Sequence, residues 1–149
     1  MEYTHVVHTF GPVFDAGSEI LILGSFPSVK SRENRFYYGH PQNRFWKLLA
    51  EIYGGGVPVT IEDKKTFLLR NRIALWDVIA SCDIVGSSDS SIRNATGNDM
   101  GVILEKAKIR RILANGGKAY ELFRRYCLRE GQPPIYKLPS TSPANAAWN

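Results

Sequence analysis

Hydrophobic positions along this chain fall into two kinds of run. Short strand-length runs occur in "SEILILGS" (residues 18–25), "IALWDVI" (73–79), "IRRILA" (109–114) and "QPPIYKLP" (132–139). The first, an aliphatic run ending at Gly24, predicts a buried parallel strand, and the others read as three further strands. Other segments repeat at helical spacing. "QNRFWKLLAEIYGG" places Phe45, Leu48, Leu49 and Ile52 on one side and stops at glycine. "TIEDKKTFLLRN" opens with Thr60 and has Asp63 three residues on, a relative of the capping box. "DMGVILEKAK" and the amphipathic "GGKAYELFRRYCLR" read as two further helices, and "GSSDSSIRNATGND" as a long polar loop.

Strands that alternate with helices predict a three-layer α/β/α sandwich around a central, mainly parallel four-stranded sheet, with right-handed crossovers. In such folds ligands gather beyond the carboxyl ends of the strands. The unusual polar clusters of this chain fall there: "GSFPSVKS", "CDIVGSSDSS", "NGG" and "PSTSPAN", one after each predicted strand. No repeat or low-complexity linker interrupts the 149 residues, so a single domain over 1–149 is expected.

Composition narrows the class without naming it. With 44% hydrophobic and 22% charged residues the chain is of the globular kind. The net charge of +5 permits a polyanionic partner and equally suits a cationic surface. "MEYTHVVHTF" lacks the basic and apolar regions of a signal peptide, and no apolar run reaches spanning length, so a cytoplasmic protein without membrane contact is expected. Cys82 and Cys127, the two cysteines, are expected to be buried and reduced, and they exclude a four-cysteine zinc or iron–sulfur centre.

Taken singly, the clusters leave their chemistry open. "GSFPS" carries neither a phosphate-loop pattern nor a nucleophile elbow at Ser25, and reads as a proline-stiffened turn. "PSTSPAN" (139–145) suits phosphate oxygens or an ordinary turn. His40 fits a general base, a metal ligand or a packed imidazole, although no acidic pair at ligand spacing supports a metal. Asp77 and Asp89 fit an acid, a base or turn caps.

Together the clusters form a pattern. "LILGSFPS", then "YYGHPQNRFWKLL", then "LPSTSPAN" resembles the uracil-DNA glycosylase superfamily, in its mismatch-specific and hypoxanthine (deoxyinosine) branch. The resemblance spans nearly the whole chain, and "GHPQNRFW" is its most specific segment. It implies an enzyme that hydrolyses the N-glycosidic bond of deaminated bases in DNA, hypoxanthine first and uracil second, initiating base excision repair by base flipping.

By the same resemblance Gly24, Ser25, Phe26, Tyr38 and His40 line the base pocket, with Tyr38 stacking on the flipped base and Phe45 and Trp46 in the core. The mismatch-specific uracil enzymes carry an asparagine where Phe26 stands here; the hypoxanthine branch uses an asparagine in the HPxN segment instead, which falls on Asn43. Ser140, Thr141, Ser142, Pro143, Ala144 and Asn145 are implied to meet DNA beside the lesion. No cofactor and no metal is implied, and no nucleophilic lysine is evident in the motifs, so hydrolysis without lyase activity and a monomer acting on DNA are expected. Members of the family continue into another helix where this chain ends at "AAWN", so a shortened C-terminal helix is expected. Phe26 also motivates an alternative, a DNA-binding protein on the same scaffold that has lost catalysis.

Overall fold

The structure, a computed structural model, describes residues 2–142. The aliphatic runs do become the centre of the molecule. Strands β2 (Ile20–Gly24), β3 (Ile73–Asp77), β6 (Arg111–Asn115) and β7 (Ile135–Leu138) form an all-parallel sheet in the order β3-β2-β6-β7. Every residue of β3 is buried and β2 is buried from Leu21 onward, which is why neither run alternates with polar residues. At the far edge, β7 is mostly exposed.

The chain leaves β2 toward β3 on one side and later leaves β6 toward β7 on the other. Right-handed crossovers in opposite directions put α1 (Val29–Asn34), α2 (Phe45–Tyr53) and α3 (Ile61–Arg70) on one face of the sheet. They put α5 (Gly117–Tyr126) on the other. Between β2 and β6 the loops therefore diverge, and a crevice opens beyond Gly24 and Asn115.

Sequence patterns account for most of the helices. Thr60 caps α3 by accepting from the Asp63 N–H at 3.0 Å, and Glu62 and Asp63 favour its positive N-terminal end. Glycine ends α2: Gly54, Gly55 and Gly56 all take positive φ, which a side chain would resist. The buried stripe of α2 differs from expectation. It consists of Phe45, Trp46, Leu49 and Ala50, whereas Ile52 is exposed. The helix begins at Phe45, the first residue of its apolar pattern, while Asn43 and Arg44 are held in the turn before it.

Three strands were not legible in the pattern. β1 (Thr4–Val7), β4 (Ile79–Ile84) and β5 (Arg93–Gly97) form a separate antiparallel sheet in the order β1-β4-β5. "IALWDVI" is thus not one strand: the chain changes sheets at Val78, whose N–H is held by the Gly24 carbonyl at 2.8 Å. The expected polar loop contains a 3-10 turn (Asp89–Ser91) and then β5, whose register against β4 shifts twice. Those irregularities break the alternation that identifies a strand. The helix expected in "DMGVILEKAK" shrinks to α4 (Gly101–Leu104).

One hydrophobic cluster joins both sheets and all the longer helices. Cys82 and Cys127 are free and buried in it, and burial pushes each thiol up to about 11. Little thiolate then exists near neutral pH. The folded protein should resist alkylation by iodoacetamide and react at both cysteines once unfolded, which mass spectrometry reads directly. No helix among the described residues is long and apolar enough to cross a membrane.

Candidate functional site

The run "FYYGHPQNRFW" is where core and crevice meet. Phe36, Tyr37, Phe45 and Trp46 are buried, and the Tyr37 hydroxyl donates to the Gly11 carbonyl at 2.7 Å. Between these aromatic pairs the chain turns. Tyr38 takes a left-handed φ of 53°, unusual for a residue with a side chain. The His40 carbonyl then accepts the Asn43 N–H at 3.0 Å, and His40 Nδ1 accepts the Gln42 N–H at 3.1 Å. With Nδ1 so occupied, only Nε2 of His40 is available to a ligand.

A cavity of about 570 Å³ fills the crevice, within the range of small-ligand sites. Gly24, Ser25, Phe26, Tyr38, His40 and Asn43 all line it, although they come from two segments of the chain. Asn115, Asp77 and Asp89 join them from three other strand ends or loops. Ser140, Thr141 and Ser142 close the wall. Pro143, Ala144 and Asn145 lie outside the described residues.

Asn43 is the best-defined side chain here. Its Oδ1 accepts the Phe45 N–H at 2.9 Å, an Asx turn that leads into α2, and the Thr141 hydroxyl at 2.8 Å. The backbone donor settles which end of the amide is oxygen. Both lone pairs of that oxygen are used, and the Nδ2 amino group makes no hydrogen bond among the described residues. Thr141 is anchored in turn by Asn115, which donates from Nδ2 to the hydroxyl and accepts the Thr141 N–H at Oδ1, each at 3.0 Å.

This network corrects one expectation. Thr141 is 3% exposed and its hydroxyl is spent on Asn115 and Asn43, so it ties the C-terminal loop to the α2 turn instead of facing phosphate. Arg44 reinforces the tie, with its N–H on the Thr141 carbonyl and its guanidinium on the Ser142 carbonyl. The Ser140 hydroxyl accepts the Ser142 N–H at 3.1 Å.

One face of the Tyr38 ring stacks on Phe45, with centroids 4.0 Å apart and planes at 24°. Its hydroxyl is buried and has no hydrogen-bond partner among the described residues, which costs about 1–3 kcal/mol. Burial, and then the negative charge of Asp77, raise this phenol far above its ordinary pKa; the nearby Asn115 amide opposes the rise without completing a hydrogen bond.

Two carboxylates reach the site. Asp89 accepts from the Ser25 hydroxyl at 2.7 Å. Asp89 as a residue is exposed, yet its carboxyl faces the concave wall, where burial raises its pKa. The Ser25 hydrogen bond opposes that rise and the Asp77 charge adds to it. Asp77 closes β3, is 3% exposed, and pairs with His8. Sequence reasoning singled out neither Asn115 by number nor His8 as site residues. Asn115 stood in the "NGG" cluster, but His8 had no signal, being far away in the chain and outside any predicted element.

A parallel sheet with its polar groups gathered at the β2/β6 switch point defines an α/β domain with a ligand-sized crevice at its strand ends. The comparisons make the class specific. The sequence model of the uracil DNA glycosylase superfamily matches residues 12–149, and the chain belongs to that family. A hypoxanthine DNA glycosylase of Methanosarcina acetivorans is 41% identical over 142 residues, covering 94% of this chain and 89% of that one. Another from Methanosarcina barkeri is 38% identical over 114 residues, 75% of this chain and 72% of that one. The solution NMR structure of a Methanosarcina acetivorans protein assigned as a candidate uracil DNA glycosylase has a TM-score of 0.78 at 39% identity, covering 94% and 87% of the two chains.

Proposed function

We propose that this protein is a DNA glycosylase that removes hypoxanthine from DNA, accepts uracil as a second base, and so initiates base excision repair. The observation that carries the reading is the Asn43 side chain. It is held by its oxygen from two sides, it lines a cavity of suitable size, and only its amino donor is uncommitted. Two relatives named hypoxanthine DNA glycosylases support the choice of base.

In the proposed reaction water adds to the sugar carbon as the bond to the base breaks. The base leaves as an anion that is then protonated. An amide is too weak a base to deprotonate water, but a fixed N–H donor stabilises negative charge as it develops on the leaving base. Rigid placement of that donor through Thr141 and Asn115 supplies the preorganisation. Phe26 and Tyr38 are among the aromatic residues of the cavity lining. Among the described residues that line the cavity none is a lysine, so the reaction is read as hydrolytic, without an amine to form a Schiff base. Hypoxanthine and uracil pair weakly with their partners, and the low cost of extruding them favours their capture.

The test is strand cleavage by alkali after incubation with duplexes that carry one hypoxanthine, one uracil or no lesion. Cleavage at hypoxanthine, and more slowly at uracil, is expected. DNA binding without any alkali-labile site would instead establish the catalytically inactive scaffold.

A further inference from the structure

The cavity floor holds a hydrogen-bond acceptor and a hydrogen-bond donor side by side over Gly24. Asp77 supplies the acceptor. Its Oδ2 accepts the His8 Nε2–H at 2.8 Å, with both side chains at most 4% exposed. His8 is itself boxed by the rings of Phe10, Tyr37 and Phe26, at 4.4, 6.0 and 6.0 Å. The Asp77 carbonyl is held by Asn98 Nδ2 at 2.9 Å. Gripped at both ends, the aspartate turns its Oδ1 toward Gly24, where a Cβ would stand only 2.5 Å away. Oδ1 makes no hydrogen bond among the described residues.

Tyr38 supplies the donor. Its hydroxyl lies 2.9 Å from that same Cβ position, so the two oxygens converge on one spot that only glycine leaves open. The ring cannot swing away to find a partner, because it stacks on Phe45 and its backbone is held in the left-handed region. Burial and the Asp77 charge keep the phenol protonated, hence a donor. A buried hydroxyl left unpaired in a native fold calls for a ligand to satisfy it.

We propose that Asp77 and Tyr38 read the lactam edge of the extruded base, Asp77 Oδ1 accepting the ring N–H and the Tyr38 hydroxyl donating to the adjacent carbonyl. His8 is the positioning residue that aims Asp77. This rests on the glycosylase reading above and specifies how the site recognises its base. Deamination converts an edge of ring-nitrogen acceptor and amino donor into ring N–H donor and carbonyl acceptor. The pair therefore matches hypoxanthine and uracil. It opposes adenine and cytosine, whose ring nitrogen would place a lone pair against a carboxylate. Guanine and thymine carry the same lactam edge, and their exclusion falls to the cost of extruding a well-paired base. Here Tyr38 acts through its hydroxyl, edge-on, and not as the stacking platform expected from the resemblance.

Tyr38→Phe separates the two roles, since it keeps the ring and its stacking and removes only the hydroxyl. Single-turnover release would be measured from duplexes carrying hypoxanthine or unsubstituted purine, which lacks both the 6-oxygen and the N1 hydrogen and so makes neither contact. Tyr38→Phe is expected to slow hypoxanthine release by at least about tenfold, to leave purine release unchanged, and to raise the melting temperature by deleting an unsatisfied group. Asp77→Asn should narrow the preference for hypoxanthine over adenine, because its amide turns a donor toward the ring nitrogen when its oxygen takes the His8 N–H. His8→Gln, which retains a donor for Asp77, should keep more of that preference than His8→Leu. Equal slowing of hypoxanthine and purine by Tyr38→Phe, or no slowing of either, overturns the assignment while hypoxanthine release by the unmodified protein leaves the glycosylase reading intact. No release of hypoxanthine by the unmodified protein overturns both.

Discussion

Asn43→Asp should fold as well as the unmodified protein and release hypoxanthine at least about 100-fold more slowly. A carboxylate is the same size as the amide and still accepts from the Phe45 N–H and the Thr141 hydroxyl. Its charge also suits the first turn of α2. The turn into α2 and the tie to the C-terminal loop therefore survive. What disappears is the amino donor that stabilises the negative charge developing on the leaving base. Asn43→Ala makes a poorer test, because it also removes the acceptor for the Phe45 N–H and the Thr141 hydroxyl and so mixes stability with chemistry. Single-turnover release from deoxyinosine duplexes, with melting temperature and DNA affinity alongside, decides between the roles. Retained release would mean that Asn43 acts through its oxygen, or serves the helix only.

Gly24→Ala should abolish release and destabilise the domain by about 1–3 kcal/mol, the usual cost of overpacking a filled interior. The new methyl carbon would stand 2.5 Å from Asp77 Oδ1 and 2.9 Å from the Tyr38 hydroxyl. Neither neighbour is the loose end of a flexible chain. Asp77 is held by His8 and Asn98, and Tyr38 by its stack on Phe45. Relief must come from β2 itself, which is paired with β3 through Gly24 and with β6 as far as Leu23. Thermal melting and base release on the same preparation test the point. A variant that melts normally and cleaves normally would show that the floor of the cavity is soft and that the two oxygens need not converge.

Much of the scaffold was legible because it rests on local signals. β2 and β3 announce themselves as short aliphatic runs, α3 by Thr60 and its following carboxylates, and the end of α2 by three glycines. The antiparallel sheet was not, because β1 is mostly exposed and β5 pairs with β4 through shifted register, so neither shows a clean period.

For the site, the sequence by itself determined which segments would meet: polar clusters at strand ends must converge once the strands are parallel, and Gly24, Asn43, Asp77 and Thr141 do line one cavity. Which atom of each residue is left to act was decided only by the tertiary structure. The oxygen of Asn43 is consumed by a hydroxyl 98 residues away, and Asp77 is aimed by a histidine 69 residues before it. Tyr38 loses a ring face to Phe45 and is left with an unpaired hydroxyl. Hydrophobic period and turn chemistry are properties of neighbours in the chain. The satisfaction of a buried donor or acceptor depends on whatever the fold brings within hydrogen-bond reach, and no local pattern encodes that.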